Sequence, residues 1–237
     1  MKMKDKRADQ IFQKKRHKED RLAAKARRRG EPVLERVAPD LDEKPTIRVV
    51  CEGENTEPGY FEKFRLTTAT IKTVGEGYNT NSLVQRAQTL NDEGSYDQVW
   101  CVFDKDDFLA AAFNDAIHLA ERLGFGVAYS NQAFEYWLIL HFEDHQGAGF
   151  HRDRYGKKLN TYLNKLGSHY DAEGSKEITR EIFDHLMAND PKTGKRRIDL
   201  AILRATRIYD QYDHRSPALE ESSTTVFRLV EEILKYV

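Results

Sequence analysis

QVWCVFDKDDFLAAAFNDAIHLAERLG, residues 98–124, decides the fold class. Its opening, Gln98 to Phe103, is a nearly continuous apolar run, the composition of a strand buried on both faces. The acidic turn Asp104-Lys105-Asp106-Asp107 follows. From 109 to 123 the period changes: Leu109, Phe113, Ile117 and Ala120 fall on one helical face, and Gly124 supplies the stop. Strand, polar turn and amphipathic helix together make the repeating unit of an α/β sheet.

The same unit recurs on either side. TIRVVC (46–51) is a short β-branched strand ended by Glu52-Gly53. A helix is predicted over 58–65, a strand over 67–74 and a helix over 82–90. A fourth strand is predicted over 125–129 and a strongly apolar helix over 133–142. Strands that are apolar throughout and alternate with helices indicate a parallel sheet covered on both faces. Past Asp144 the strand signal fades, and helices are predicted over 155–166, 178–187, 198–212 and 225–237. The last has Val226, Leu229, Val230, Ile233, Leu234 and Val237 in one stripe, a packing face.

The 237 residues fit one domain with appendages: an arm and linker over 1–44, an α/β core over 45–145 and a helical extension over 146–237. No apolar stretch reaches the roughly 18 residues of a membrane span. The charged N-terminus has no apolar segment to serve as a secretory signal. Cys51 and Cys101 each sit inside an apolar run, as reduced cysteines of a cytoplasmic protein do, and two thiols cannot build a disulfide framework or a zinc cage. Residues 1–30 carry 13 Lys+Arg against 4 Asp+Glu, which leaves 25 basic and 35 acidic residues for the remainder. A basic arm on an acidic body is either a tether for phosphate backbones or an acidic partner, or a solubilising tail.

Ligands of an open parallel sheet gather at the carboxyl ends of its strands. Here those ends are acidic. The first strand leads into Glu52, Glu54 and Glu57, the third into Asp104, Asp106 and Asp107, and the fourth, through Ser130-Asn131, into a helix carrying Glu135. Seven carboxylates on one edge repel one another, so they must protonate or recruit cations. Oxygen donors without histidine or thiolate suit magnesium or manganese, and such ions can clamp a phosphodiester for in-line displacement. Gly53 is read as the residue that turns the chain sharply after Glu52. Acidic residues are also common caps, and Asp104 and Asp107 could simply cap the following helix. The basic loop of Lys195, Arg196 and Arg197 is either a nucleic-acid contact or a solvated turn.

A strand ending in Glu, followed about fifty residues later by one ending in Asp-x-Asp, resembles the Toprim fold of topoisomerases, primases and nucleases of the overcoming-lysogenization-defect type. VCEGENTEPGYFEKF (50–64), VWCVFDKDDF (99–108) and SNQAFEYWLILHF (130–142) resemble the RloB-like family more closely, with STTVFRLVEEI (223–233) extending the likeness. The resemblance implies a magnesium-dependent Toprim nuclease of anti-phage defence, often beside an AAA- or ABC-type ATPase. It neither requires nor forbids a homo-oligomer. It assigns metal binding to Glu52, Asp104 and Asp106; Glu135, which matches the family's Phe-Glu-x-Trp segment, is a second metal site or a holder of the cleft, and Asp107 beside the pair is a further candidate ligand. Glu57 matches the second acid of the lysogenization-defect nucleases, although it follows Glu52 by five residues where four are usual. RNA, tRNA included, is the substrate that this analogy favours over DNA. The rival readings are a non-catalytic module that regulates, or is regulated by, an ATPase, and a metal-nucleotide-dependent transferase. The latter lacks a glycine-rich phosphate cradle after its first strand.

Overall fold

The computed structural model describes residues 12–23, 45–75, 80–146, 151 and 153–237. Most of the basic arm and linker lies outside them. The chain divides into an N-terminal unit, Met1–Glu43, and a body, Lys44–Val237. In the first unit, residues 12–23 form a helix, α1, exposed at every position.

The body contains a four-stranded parallel sheet flanked by helices, an α/β fold. Strands β1 (Thr46–Cys51), β2 (Thr70–Gly75), β3 (Gln98–Asp104) and β4 (Gly126–Ser130) lie in the order β2-β1-β3-β4. The first crossover helix, α2 (Thr56–Phe61), joins β1 to β2. α3 (Thr80–Glu93) carries the chain back to β3, and α4 (Ala110–Arg122) leads on to β4. After β4 come α5 (Glu135–Leu140), α6 (Asp153–Leu163), α7 (Arg180–Met187), α8 (Arg197–Tyr209) and α9 (Val226–Leu234).

Adjacent strand residues point to opposite faces, and both faces are filled. Val50, Cys101, Phe103 and Tyr129 pack with Leu83, Val84 and Phe113 of α3 and α4. Val49, Cys51, Val102 and Ala128 pack on the other side with Tyr60, Trp137, Val230 and Ile233. Two buried faces account for the unbroken apolar runs. The helices after Asp144 complete the second face and share its core.

β2 begins at Thr70, three residues later than its composition suggests, because the Thr67 N–H is taken by Tyr236 O at 2.7 Å. On the opposite edge, Ser223–Thr225 run against β4. Asn131 N donates to Ser223 O at 2.7 Å, Thr225 N donates to Tyr129 O at 2.8 Å, and Ser130 bridges Thr224 in antiparallel sense. The Thr225 hydroxyl accepts from Tyr129 N at 2.9 Å and donates to Val127 O at 3.2 Å. All three residues of this strap are buried.

Loss of that hydroxyl leaves a buried backbone N–H without its side-chain acceptor, a cost of about 1–3 kcal/mol. Thr225→Val is therefore expected to lower the melting temperature by several degrees, with Thr225→Ser close to wild type. Equal melting of all three proteins by calorimetry would show that the strap does not hold the β4 edge.

Candidate active site

The strand order places the site. From β1 the chain crosses to β2 on one side, and from β3 it crosses to β4 on the other. Between the carboxyl ends of β1 and β3 the two connections diverge, and such a switch point opens a crevice in a parallel sheet. A cleft of about 330 Å³ occurs there, and Glu52, Glu54, Glu57, Asp104, Asp106 and Glu135 line it. Of the seven acids expected on this edge, Asp107 alone does not line the cleft and is exposed on the turn. Asp106 has φ +42°, and this left-handed residue separates the two neighbours' environments.

The strand tips hold one another. Glu52 N donates to Val102 O at 2.9 Å, prolonging the sheet by one residue, while Glu52 Oε2 accepts from Asp104 N at 3.2 Å. Asp104 Oδ2 accepts from Phe134 N at 2.9 Å, and its Oδ1 is buried with no hydrogen-bond partner. Asp106 N donates to Gln132 O at 3.2 Å, between two residues of positive φ. Strained backbone of this kind concentrates where side chains must be aimed.

Glu57 lies in the first turn of α2, buried, with its carboxylate receiving the backbone N–H groups of Gly53 and Glu57. A Cβ at residue 53 would stand 2.1 Å from Glu57 Oε2. Gly53 is thus required by the approach of this carboxylate, and the chain bends there, as expected, without a left-handed φ. A Cβ on Gly75, at the end of β2, would in turn meet Gly53 O at 2.5 Å and Glu54 Cα at 2.6 Å. Glu54 itself is exposed at the rim.

Burial holds the Glu57 carboxyl up at about 7, against the pull of its backbone donors, with the Glu135 charge adding to the rise. Asp104 is raised well above the usual carboxylate range by burial first, then by Glu57, Glu135 and Asp106. These are carboxylates that resist being charged together.

Three residues that sequence reasoning missed complete the cleft. Tyr170 OH donates to Glu135 Oε1 at 2.8 Å and lies 3.0 Å from Thr56 Oγ1, which is 2.9 Å from Lys176 O. Two hydroxyl hydrogens serve these three contacts. Burial raises the Tyr170 phenol, so it remains a donor. Lys176, at φ +51°, lines the cleft among the acids and lowers the Glu57 pKa by its charge. Its loop is braced by Asp171, whose carboxylate accepts from Gly174 N at 3.0 Å and Ser175 N at 2.9 Å. The sequence signal for Lys176 was a lone cation in a polar turn, which is too common to single out.

Other candidates fall outside. Asn131 is buried, and its Nδ2 donates to Pro217 O at 2.8 Å, so it ties down the C-terminal segment. His141 is packed on Trp137 and held at about 3 by burial, hence neutral. In the basic loop, Arg196 is engaged by Asp199 at 2.7 and 2.8 Å. Arg197 is buried, donates to His185 O at 2.9 Å and stacks over Phe142, which corrects its reading as a nucleic-acid contact. Lys195 remains exposed.

The donors that could hold a divalent cation are hard oxygens: Glu52, Asp104 and Asp106 at the strand tips, with Glu57 and Glu135 behind them. The orphaned Asp104 Oδ1 and the mutual repulsion of the acids fit such an ion in chemical terms. Among the described residues no three His, Cys, Asp or Glu side chains already converge on one point. The carboxylates instead stand around the cleft.

The sign of the pH dependence follows. A carboxyl whose folded pKa is raised binds its proton more tightly when folded, so its contribution is full below the unfolded value of 4.5 and is lost as pH rises through about 7. The melting temperature of chelator-treated protein should fall between pH 5 and pH 8 for this reason. Glu57→Gln should melt higher than wild type at pH 8 and show a flatter profile. A variant profile parallel to wild type would show that Glu57 is not the strained group.

Comparison with known proteins adds one match: the family model described as RloB-like protein fits residues 47–233, a stretch that contains every cleft residue above. No curated protein and no solved structure matches the chain.

Proposed function

The chain belongs to the RloB-like family, and we propose from its cleft that it is a divalent-metal-dependent nuclease of the Toprim type that hydrolyses nucleic-acid phosphodiesters. The observation that carries the reading is the junction of β1 and β3, where six carboxylates and one lysine share about 330 Å³. Glu52, Asp104 and Asp106 would hold magnesium or manganese, with Glu57 and Glu135 as supporting acids. The ion supplies Lewis-acid charge for a phosphodiester and its attacking water.

The remaining roles belong to the chain. The backbone N–H of Asp104 fixes Glu52, and that of Phe134 fixes Asp104, so both carboxylates are oriented before any ligand arrives. Glu57 lines the same cleft, where a carboxylate can serve as general base or acid toward the attacking water. Tyr170 orients Glu135. Lys176 faces the same space and offsets charge that develops on a phosphoryl oxygen. Among the described residues no serine, cysteine or tyrosine side chain lines the cleft as a nucleophile, and Thr56 is committed to its network, so water is the attacking group.

By analogy with that family, the proposed substrate is RNA, tRNA included, ahead of DNA, and the proposed setting is anti-phage defence beside an AAA- or ABC-type ATPase. Free, buried Cys51 and Cys101 are in keeping with the reducing cytoplasm. No helix among the described residues is long and apolar enough to cross a membrane.

The test is cleavage of labelled RNA and DNA with magnesium or manganese, with the family's ATPase present and absent. Asp104→Asn, Asp106→Asn and Glu52→Gln should each abolish cleavage, and Glu54→Gln should retain most of it. Lys176→Met should slow turnover by about 10²-fold, as loss of a charge-stabilising group does. Undiminished cleavage in excess chelator, or by Asp104→Asn, would overturn the assignment.

A further inference from the structure

The cleft explains how a phosphodiester could be cut, but its own charge works against holding a polyanion. Residues 31–237 carry 35 acidic and 25 basic residues. Attraction must come from elsewhere, and α1 has the chemistry for it. All twelve of its residues are exposed, so none of its cations is occupied in packing a core.

The cations of α1 are ordered. At about 100° per residue, Lys14, His17, Lys18 and Arg21 lie within an arc of about 100°, at spacings i, i+3, i+4 and i+7. Glu19 and Asp20 both lie more than about 100° from the centre of that arc. The stripe runs about 10 Å along the axis. Duplex nucleic acid presents one negative charge per about 1.7 Å of its axis, so several phosphates face a stripe of this length. The apolar residues do not form a rival face: Phe12 and Leu22, 67% and 58% exposed, lie off the stripe at opposite ends of the helix with no apolar residue between them. A helix that docks in an apolar groove carries its anchors at i, i+3, i+4 and i+7.

We infer that the Lys14–Lys18–Arg21 face of α1 is a docking surface for the phosphate backbone of nucleic acid, separate from the cleft. Taking the ligand to be nucleic acid rests on the nuclease reading above. The contact is electrostatic and indifferent to base sequence, because phosphate contacts position a chain without reading it. Its role is to attract the polyanion to a molecule whose cleft repels it.

The experiment measures binding without cleavage. Full-length protein in excess chelator is titrated with a fluorescent RNA hairpin, and separately with a DNA duplex, at several salt concentrations. The triple variant Lys14→Gln/Lys18→Gln/Arg21→Gln is compared with Lys15→Gln/Arg16→Gln, which removes cations off the stripe; glutamine keeps the helix propensity. The triple variant should show a salt slope shallower by about 2–3, at roughly 0.7–0.9 per lost phosphate contact, and weaker binding to both probes. The off-stripe variant should keep nearly the wild-type slope.

Equal loss in both variants would overturn the proposal in favour of diffuse attraction by the arm as a whole. No loss in either would overturn it outright. If the triple variant binds both probes normally but loses self-association by light scattering, the stripe docks instead on the acidic body of a second copy, and the proposal is again wrong. Because chelator removes any catalysis, a stripe-dependent slope in a protein that never cleaves would retire the nuclease reading and leave the docking surface standing.

Discussion

Like charges confined together in a half-buried space resist being charged, and the body is organised to hold them there nonetheless. The cost is met by fixed donors. Asp104 N holds Glu52, Phe134 N holds Asp104, and the Gly53 and Glu57 amides hold Glu57. Each donor is backbone at a strand or helix end, where an N–H has no regular partner. The sheet order makes this possible, since the strand tips at β1 and β3 abut only because their crossovers leave in opposite directions.

The C-terminal half is not an accessory to this arrangement. Tyr170 and Lys176 reach the cleft from a loop that follows α6, and α9 fills the sheet's second face beside Val49 and Val102. One hydrophobic core therefore serves both the α/β part and the helices beyond it. A change in that core far from the acids can move Lys176, because its backbone carbonyl is bonded to Thr56 at the head of α2.

Much of this was legible in the sequence, and the physical reason is locality. Glu52, Asp104 and Asp106 directly follow apolar runs, and a parallel sheet puts such residues on one edge whatever the details of its loops. Periodicity located the helices, because an apolar stripe must face a core. What was hidden depends on distant approach. Tyr170 meets Thr56 across 114 positions, and no local pattern encodes that. Arg197 read as a solvated charge because its neighbours are polar, yet its guanidinium lies against Phe142 and the carbonyl of His185. Gly53 was legible as a bend, but the second demand on it, the close approach of the Glu57 carboxylate, is invisible in the letter alone.

The strap on β4 bears on the order of events during synthesis. Its bonds join residues 92 to 98 positions apart, so the outer edge of the sheet stays open until Ser223–Thr225 have left the ribosome. An open edge is a hazard for mispairing, and domains in which distant segments must meet are slow to close. The same delay has a protective side. Tyr170 and Lys176 also arrive late, so the unfinished chain presents its acids without the lysine and tyrosine that complete the cleft. For the nuclease proposed above, this order would keep the cleft incomplete while the segments before Tyr170 are being made.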